Sequence, residues 1–162
     1  MSDEKRRARP AAQYGPTAVA VAANVARLRQ SRGMSIYALA GLLEKAGRPI
    51  TPSGLAKLEK QQRQVTVDDL VALAVALGVN PSALLFPVTL EPEDDVEVTG
   101  GGVNRAETVW SWADGHGPLR VDGASSGLAG GRALYEARLR FRQGRPHWLD
   151  EDDQADADEV ES

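Results

Sequence analysis

Between residues 17 and 87 the chain is cut into short apolar stretches by residues that stop and start helices. Gly33 suits the left-handed position that ends a helix, and Ser35 then caps the next one. Gly47, Arg48 and Pro49 break that helix, and Thr51 with Pro52 supplies a cap followed by proline at the first helical position. Thr66, with Asp69 three residues on, has the spacing of a capping box. Gly78 ends a helix, and Asn80-Pro81 opens a short fifth. Punctuation this dense leaves no room for a long rod, and the apolar residues between the stops repeat at helical spacing.

Those repeats define an inner face for each helix. Ala22, Val25 and Leu28 recur at helical intervals in the first. Leu39, Ala40, Leu42 and Leu43 serve the second, and Leu55 and Leu58 the third. Leu70, Leu73, Ala74 and Leu77 serve the fourth, and Leu84 and Leu85 the fifth. The expected fold class is all-α, with five helices joined by short turns over residues 17–87.

The third stretch, ITPSGLAKLEKQQR over residues 50–63, is the most informative. Leu55 and Leu58 share a face that turns inward. Pro52, Ser53, Ala56 and Lys57 lie mostly elsewhere, and the polar loop Lys60, Gln61, Gln62, Arg63, Gln64 follows. A helix pinned by its back in this way can enter a groove about 12 Å wide, that of B-DNA on its major side.

Charge is distributed to match. Residues 1–16 carry net +2 and residues 17–87 net +4, whereas residues 88–162 carry −10, within a total of −4. The basic half, not the overall sum, decides what an anionic polymer would meet. There is no cysteine, which excludes disulfides and thiolate-bound metal and suits a reducing cytoplasm. No apolar run reaches the length of about 18 residues that a spanning helix needs, and the charged N-terminus lacks the core of a secretory signal.

Outside the helical half the signals are weaker. Residues 1–16 read as a basic disordered arm, a solvated tail in the plainer reading and a tracker of phosphates or the minor groove in the other. Residues 88–103 read as an acidic and glycine-rich linker, with Gly100, Gly101 and Gly102 as a flexible break. Residues 104–149 read as a weakly ordered extension, with an amphipathic helix over 104–114 showing Val109, Trp110 and Ala113. A glycine-rich loop over 115–131 follows. Residues 132–142 alternate apolar and basic side chains, which favours a strand over a helix. Residues 150–162 are an acidic tail with too few apolar groups to fold.

With the elements in this order, residues 22–86 resemble the Xre-type, lambda-repressor-like helix-turn-helix family. The likeness rests on Leu28-Arg29, Arg32-Gly33-Met34-Ser35 and Leu39-Ala40. It continues through Thr51, Leu55, Leu58 and Glu59 to Leu70, Leu73, Ala74, Leu77-Gly78-Val79 and Leu84-Leu85. Two features depart from the family pattern. Residues 44–49 lengthen the connection between the second and third helices by about five residues against the short turn usual in such motifs, bringing Lys45 and Arg48 toward DNA. Ile36 replaces a glutamine that in the family touches phosphate, although the N–H groups after Ser35 can still receive one.

The resemblance implies double-stranded DNA as the partner, read by the third helix (residues 51–60). It places Ser35, Thr51, Pro52, Ser53, Gly54, Lys57, Lys60, Gln61, Gln62 and Arg63 at the DNA. It also implies a structural ion pair between Arg29 and Glu59. Lys57 is the one long donor on the reading face, facing either guanine or a phosphate. The loop Lys60–Gln64 reads as a phosphate grip, or as an ordinary polar surface loop.

The expected function is a transcriptional regulator, a repressor, in the cytoplasm at the nucleoid. It would act as a homodimer, with Ala83, Leu84, Leu85 and Phe86 as a candidate seam. The alternative is a protein-interaction module, antitoxin-like or a co-regulator, that keeps the fold with weak DNA affinity. Trp110, Trp112 and Trp148 suit a small core or a docking motif for a protein partner through residues 104–149 better than a ligand pocket. His116 and His147 lack companions at metal-ligand spacing. No cofactor, metal site or catalytic set is expected, and the chain does not read as an enzyme.

Overall fold

The computed structural model describes residues 14–119 and 128–144. Helix α1 (Pro16–Ser31) is followed by α2 (Ile36–Lys45), α3 (Pro52–Glu59), α4 (Val67–Ala76) and the single turn α5 (Ser82–Leu85). Strands β1 (Asp95–Val98) and β2 (Gly102–Arg105) pair with each other, and α6 (Ala106–Ala113) and α7 (Leu128–Gln143) complete the described elements. The chain divides into two compact units between Asn104 and Arg105.

In the first unit the expected caps are all made. Ser35, Thr51 and Thr66 each accept a hydrogen bond from the backbone N–H three residues on, and Thr66 and Asp69 complete a reciprocal capping box. The inward faces meet in one core of Val21, Val25, Leu39, Leu43, Ile50, Leu55, Leu58, Leu73, Ala74, Leu77 and Leu84. Helix α1 packs against α3 and α5, α2 against α3 and α4, and α4 against α5. Leu42, expected on the inner face of α2, is instead exposed.

The four longer helices of this unit end alike. In each, the second residue past the C-cap donates back to the helix five positions earlier, and the first residue past it adopts a left-handed backbone. In α1, α2 and α4 that residue is Gly33, Gly47 or Gly78. In α3 it is Gln61, with φ 58°, the only non-glycine residue with positive φ among the described residues.

Three expectations change. Residues 95–105, of which 95–103 were expected in a linker and 104–105 at the start of a helix, form the β1–β2 hairpin, because Val96 and Val98 alternate with Asp95 and Glu97 and bury one face. Thr99, Gly100 and Gly101 make its turn, and Gly102 opens β2. Strand β1 packs on α1, and the contact is fastened by two reciprocal bonds: Thr17 N–H donates to Thr99 Oγ1 at 3.3 Å, and Thr99 N–H to Thr17 Oγ1 at 3.2 Å. A Cβ on Gly15 would stand 2.8 Å from Thr99 Oγ1, so the approach needs glycine there.

The second change is that residues 132–142 lie within a helix, α7, not a strand. The segment holds no β-branched residue, and Arg132 pairs with Glu136 one turn on at 3.0 Å, so composition outweighs the alternation. The third concerns the proposed seam. Leu84 (0 % exposed) and Phe86 (3 %) are turned into the protein's own interior, where they cannot meet a second copy. Of the expected arm, residues 1–13 lie outside the described residues, and Pro16 already opens α1. The acidic tail over 150–162, His147 and Trp148 also lie outside them.

Candidate nucleic-acid interface

Helix α3 has one anchored side and one open side. Leu55 and Leu58 are fully buried. At its C-terminal end, Arg29 meets Glu59 through two parallel bonds, Nε to Oε1 at 2.6 Å and Nη2 to Oε2 at 2.9 Å. Arg29 Nη1 also donates to the Met34 carbonyl at 2.8 Å, so one guanidinium ties α1, the turn after it and α3 together. Its hydrogen bond to Glu59 raises the Arg29 pKa further above its ordinary value, against the opposing effect of burial. Planar, bidentate pairing of this kind fixes orientation, and losing either partner would strand a part-buried charge.

At the N-terminal end, Thr51 Oγ1 accepts from Gly54 N–H at 3.1 Å and lies 3.2 Å from Ser53 Oγ. Gly54 serves this local packing. A Cβ there would stand 3.1 Å from Thr51 Oγ1 and 3.2 Å from Ile50 Cγ2, which shows how closely buried Ile50 fits beneath the first turn.

The open side carries Ser53, Lys57 and Lys60, all exposed, with Pro52 and Ala56 half-buried between them. Gln61 and Gln62 continue it beyond the helix and are exposed as well. Lys57 and Lys60 make no ion pair with any described residue. Ser35 stands exposed at the start of α2, its Oγ occupied by Ala38 N–H at 3.1 Å. Beside it Tyr37 is 77 % exposed and presents a hydroxyl at a helix N-terminus. Sequence reasoning passed over Tyr37, although an aromatic at the second position of a predicted helix was a usable signal.

Arg48 and Arg63 are committed to the protein itself. Arg48, expected near DNA from the lengthened turn, donates from Nε to Asp69 Oδ1 at 2.9 Å and from Nη2 to Thr66 Oγ1 at 3.2 Å. Arg63, expected in the phosphate grip, donates from Nη2 to Asp69 Oδ2 at 2.9 Å. Asp69 is 1 % exposed. Burial pushes its carboxyl up, but the bonds from Arg48 and the Thr66 N–H and the charge and bond of Arg63 outweigh it, holding the group below the usual carboxylate range. The capping-box spacing made Asp69 visible in the sequence; its two arginine partners were not.

A second buried polar residue, Asn24, was also missed. Its Nδ2 donates to the carbonyls of Leu84 at 3.1 Å and Phe86 at 2.7 Å, tying α5 to α1, while its Oδ1 accepts from Arg27. Among the described residues no group of His, Asp and Glu could hold a metal ion, and no helix is long and apolar enough to cross a membrane.

A family model described as helix-turn-helix matches residues 25–84, a span that begins in α1 and ends in α5. No curated protein and no solved structure matches the chain.

Proposed function

We propose, from the premise that residues 25–84 are a helix-turn-helix domain of the Xre, lambda-repressor-like type, that the chain is a sequence-specific transcriptional regulator acting as a repressor. The observation that carries this reading is the two-sidedness of α3. Its back is fixed by Leu55, Leu58 and the Glu59–Arg29 pair, while Ser53, Lys57 and Lys60 are exposed on the other side and the two lysines make no ion pair with any described residue.

The helix would enter the major groove by its N-terminal turn. Pro52, Ser53 and Lys57 would stand nearest the bases, with Lys57 best suited to guanine O6 and N7. Gly54 and the capping Thr51 shape that turn. Lys60, Gln61 and Gln62 would hold phosphates beyond the helix, and Ser35 with the free N–H groups and Tyr37 hydroxyl of α2 would hold another. Two copies would bind half-sites about 34 Å apart, one turn of the duplex. A repressor of this kind works in the cytoplasm at the nucleoid and needs no cofactor.

Selection of bound sequences from random duplexes with the full chain tests the reading. A recurrent motif, lost when Ser53 and Lys57 are replaced by alanine, is the expected result. Sedimentation with and without the selected duplex reads the dimer.

One feature favours a second reading, a protein-interaction module. Val67, Val71 and Val75, one turn apart on α4, are 78 %, 48 % and 68 % exposed. An apolar stripe on the outer face of a helix suits a protein neighbour. Under that reading the selection would return no recurrent motif.

A further inference from the structure

We infer that Asp69 is a positioning residue for α3, acting through Arg48 and Arg63; this rests on the DNA-binding reading above. Arg48 stands four residues before Pro52, where α3 begins, and Arg63 four residues after Glu59, where it ends. Both guanidiniums converge on one carboxylate in the first turn of α4. Asp69 Oδ1 takes Arg48 Nε at 2.9 Å, and Oδ2 takes Arg63 Nη2 at 2.9 Å and Thr66 N–H at 3.4 Å. One buried group thus ties the segments entering and leaving the reading helix to a neighbouring helix.

The geometry says why such a tie is needed. Helix α3 has eight residues, and its buried side chains are Leu55 and Leu58. Apolar contacts are non-directional and let a helix this short rock about them. Arg29 secures the Glu59 end. The entering segment has Ile50 beneath it and Arg48 tied to Asp69 and Thr66. On the leaving segment Arg63 runs back toward the helix, its Cδ 4.0 Å from where a Cβ of Gly54 would lie. Arg63 Nη1 is buried and has no hydrogen-bond partner, so part of this guanidinium is turned into the protein.

Base contacts depend on angstrom-scale placement, whereas attraction to the phosphate backbone does not. Loosening the tie should therefore lower selectivity before it lowers general affinity. Neutralising Asp69 would leave two guanidiniums side by side without their shared anion, with only the exposed Asp68 still near Arg48, 3.8 Å from its Nη1; removing one arginine would leave the other tether in place.

The test uses the full chain and four variants: Asp69→Asn, Arg63→Ala, the two combined, and Arg48→Ala, which spares Asp69 and Arg63. All are compared at a temperature where circular dichroism shows each fully folded. The readouts are the affinity ratio of the selected duplex over a scrambled one, the dependence of binding on salt, and amide exchange across α3. Each single change should lower the ratio about tenfold or more while scrambled-duplex affinity holds. The combined variant should be no worse than Asp69→Asn. A salt slope smaller by about one in Arg63→Ala, at an unchanged ratio, would make Arg63 a phosphate ligand and overturn the inference. So would an unchanged ratio in Arg48→Ala and Asp69→Asn together with a lowered melting temperature. Should the unaltered protein select no sequence, the DNA-binding reading fails by itself, and amide exchange then decides the positioning. Faster exchange confined to α3 and its two flanking segments supports it, and a uniform change across α1 to α5 rejects it.

Discussion

At the scale of single residues, two polar side chains, a cation and a neutral amide, do opposite work. Lys57 is exposed and unpaired, whereas Asn24 is buried and fully engaged. Lys57→Ala should weaken binding to a selected duplex by about 1–3 kcal/mol and leave scrambled DNA nearly untouched. Equal losses on both duplexes in a titration would assign it to phosphate. Asn24→Ala should leave two carbonyls of the α5 turn without donors and cost about 1–3 kcal/mol in urea unfolding. A smaller effect would mean that water replaces the amide. Neither contrast was readable beforehand in full. Lys57 follows from its place between Leu55 and Leu58 on a helical period, but nothing local distinguishes Asn24 from a surface asparagine. Arg48 and Arg63 show the same limit, because a cation's partner 21 or 6 residues away depends on tertiary folding.

At the scale of elements, the helices of the first unit were legible because each carries its own start and stop. Ser35, Thr51 and Thr66 cap, and Gly33, Gly47 and Gly78 terminate. Helix α3 ends without glycine, on Gln61 at φ 58°. A left-handed backbone costs a non-glycine residue about 1 kcal/mol, so Gln61→Gly should raise stability by up to about that amount. If Gln61 also holds a phosphate, the same change lowers DNA affinity, and a thermal melt beside a binding titration separates the two effects. The hairpin was hidden because three glycines in a row look like a linker, and its strands are too short to declare themselves. Two strands alone are marginal in water; here α1 supplies the second layer. Gly15→Ala should therefore free the hairpin, read as faster amide exchange at Val96 and Val98 while α3 is unchanged. In α7 the reverse holds: alternation over a few residues points to a strand, whereas a composition of Ala, Leu, Arg and Glu favours the helix that forms.

At the scale of the whole molecule, charge and pH bring these parts together. The folded chain holds Asp69 ionised below its ordinary range, while in the unfolded chain it returns to about 4. The stability this contributes is complete above that value and is lost as pH falls through the lower, folded-state value. Acid titration of Asp69→Asn should therefore show a shallower loss of stability below about pH 4 than the unaltered protein; parallel curves would refute the ionic tie. The basic half and the −10 extension were plain in the sequence, but where the first unit ends was not. The family match closes at residue 84, yet Val96 and Val98 shelter part of α1 beyond it. Trimming the chain to the matched span would cut α1 itself at residue 25 and remove the hairpin packed on it. A fragment that keeps α1 whole and runs past Arg105 retains both that helix and its cover.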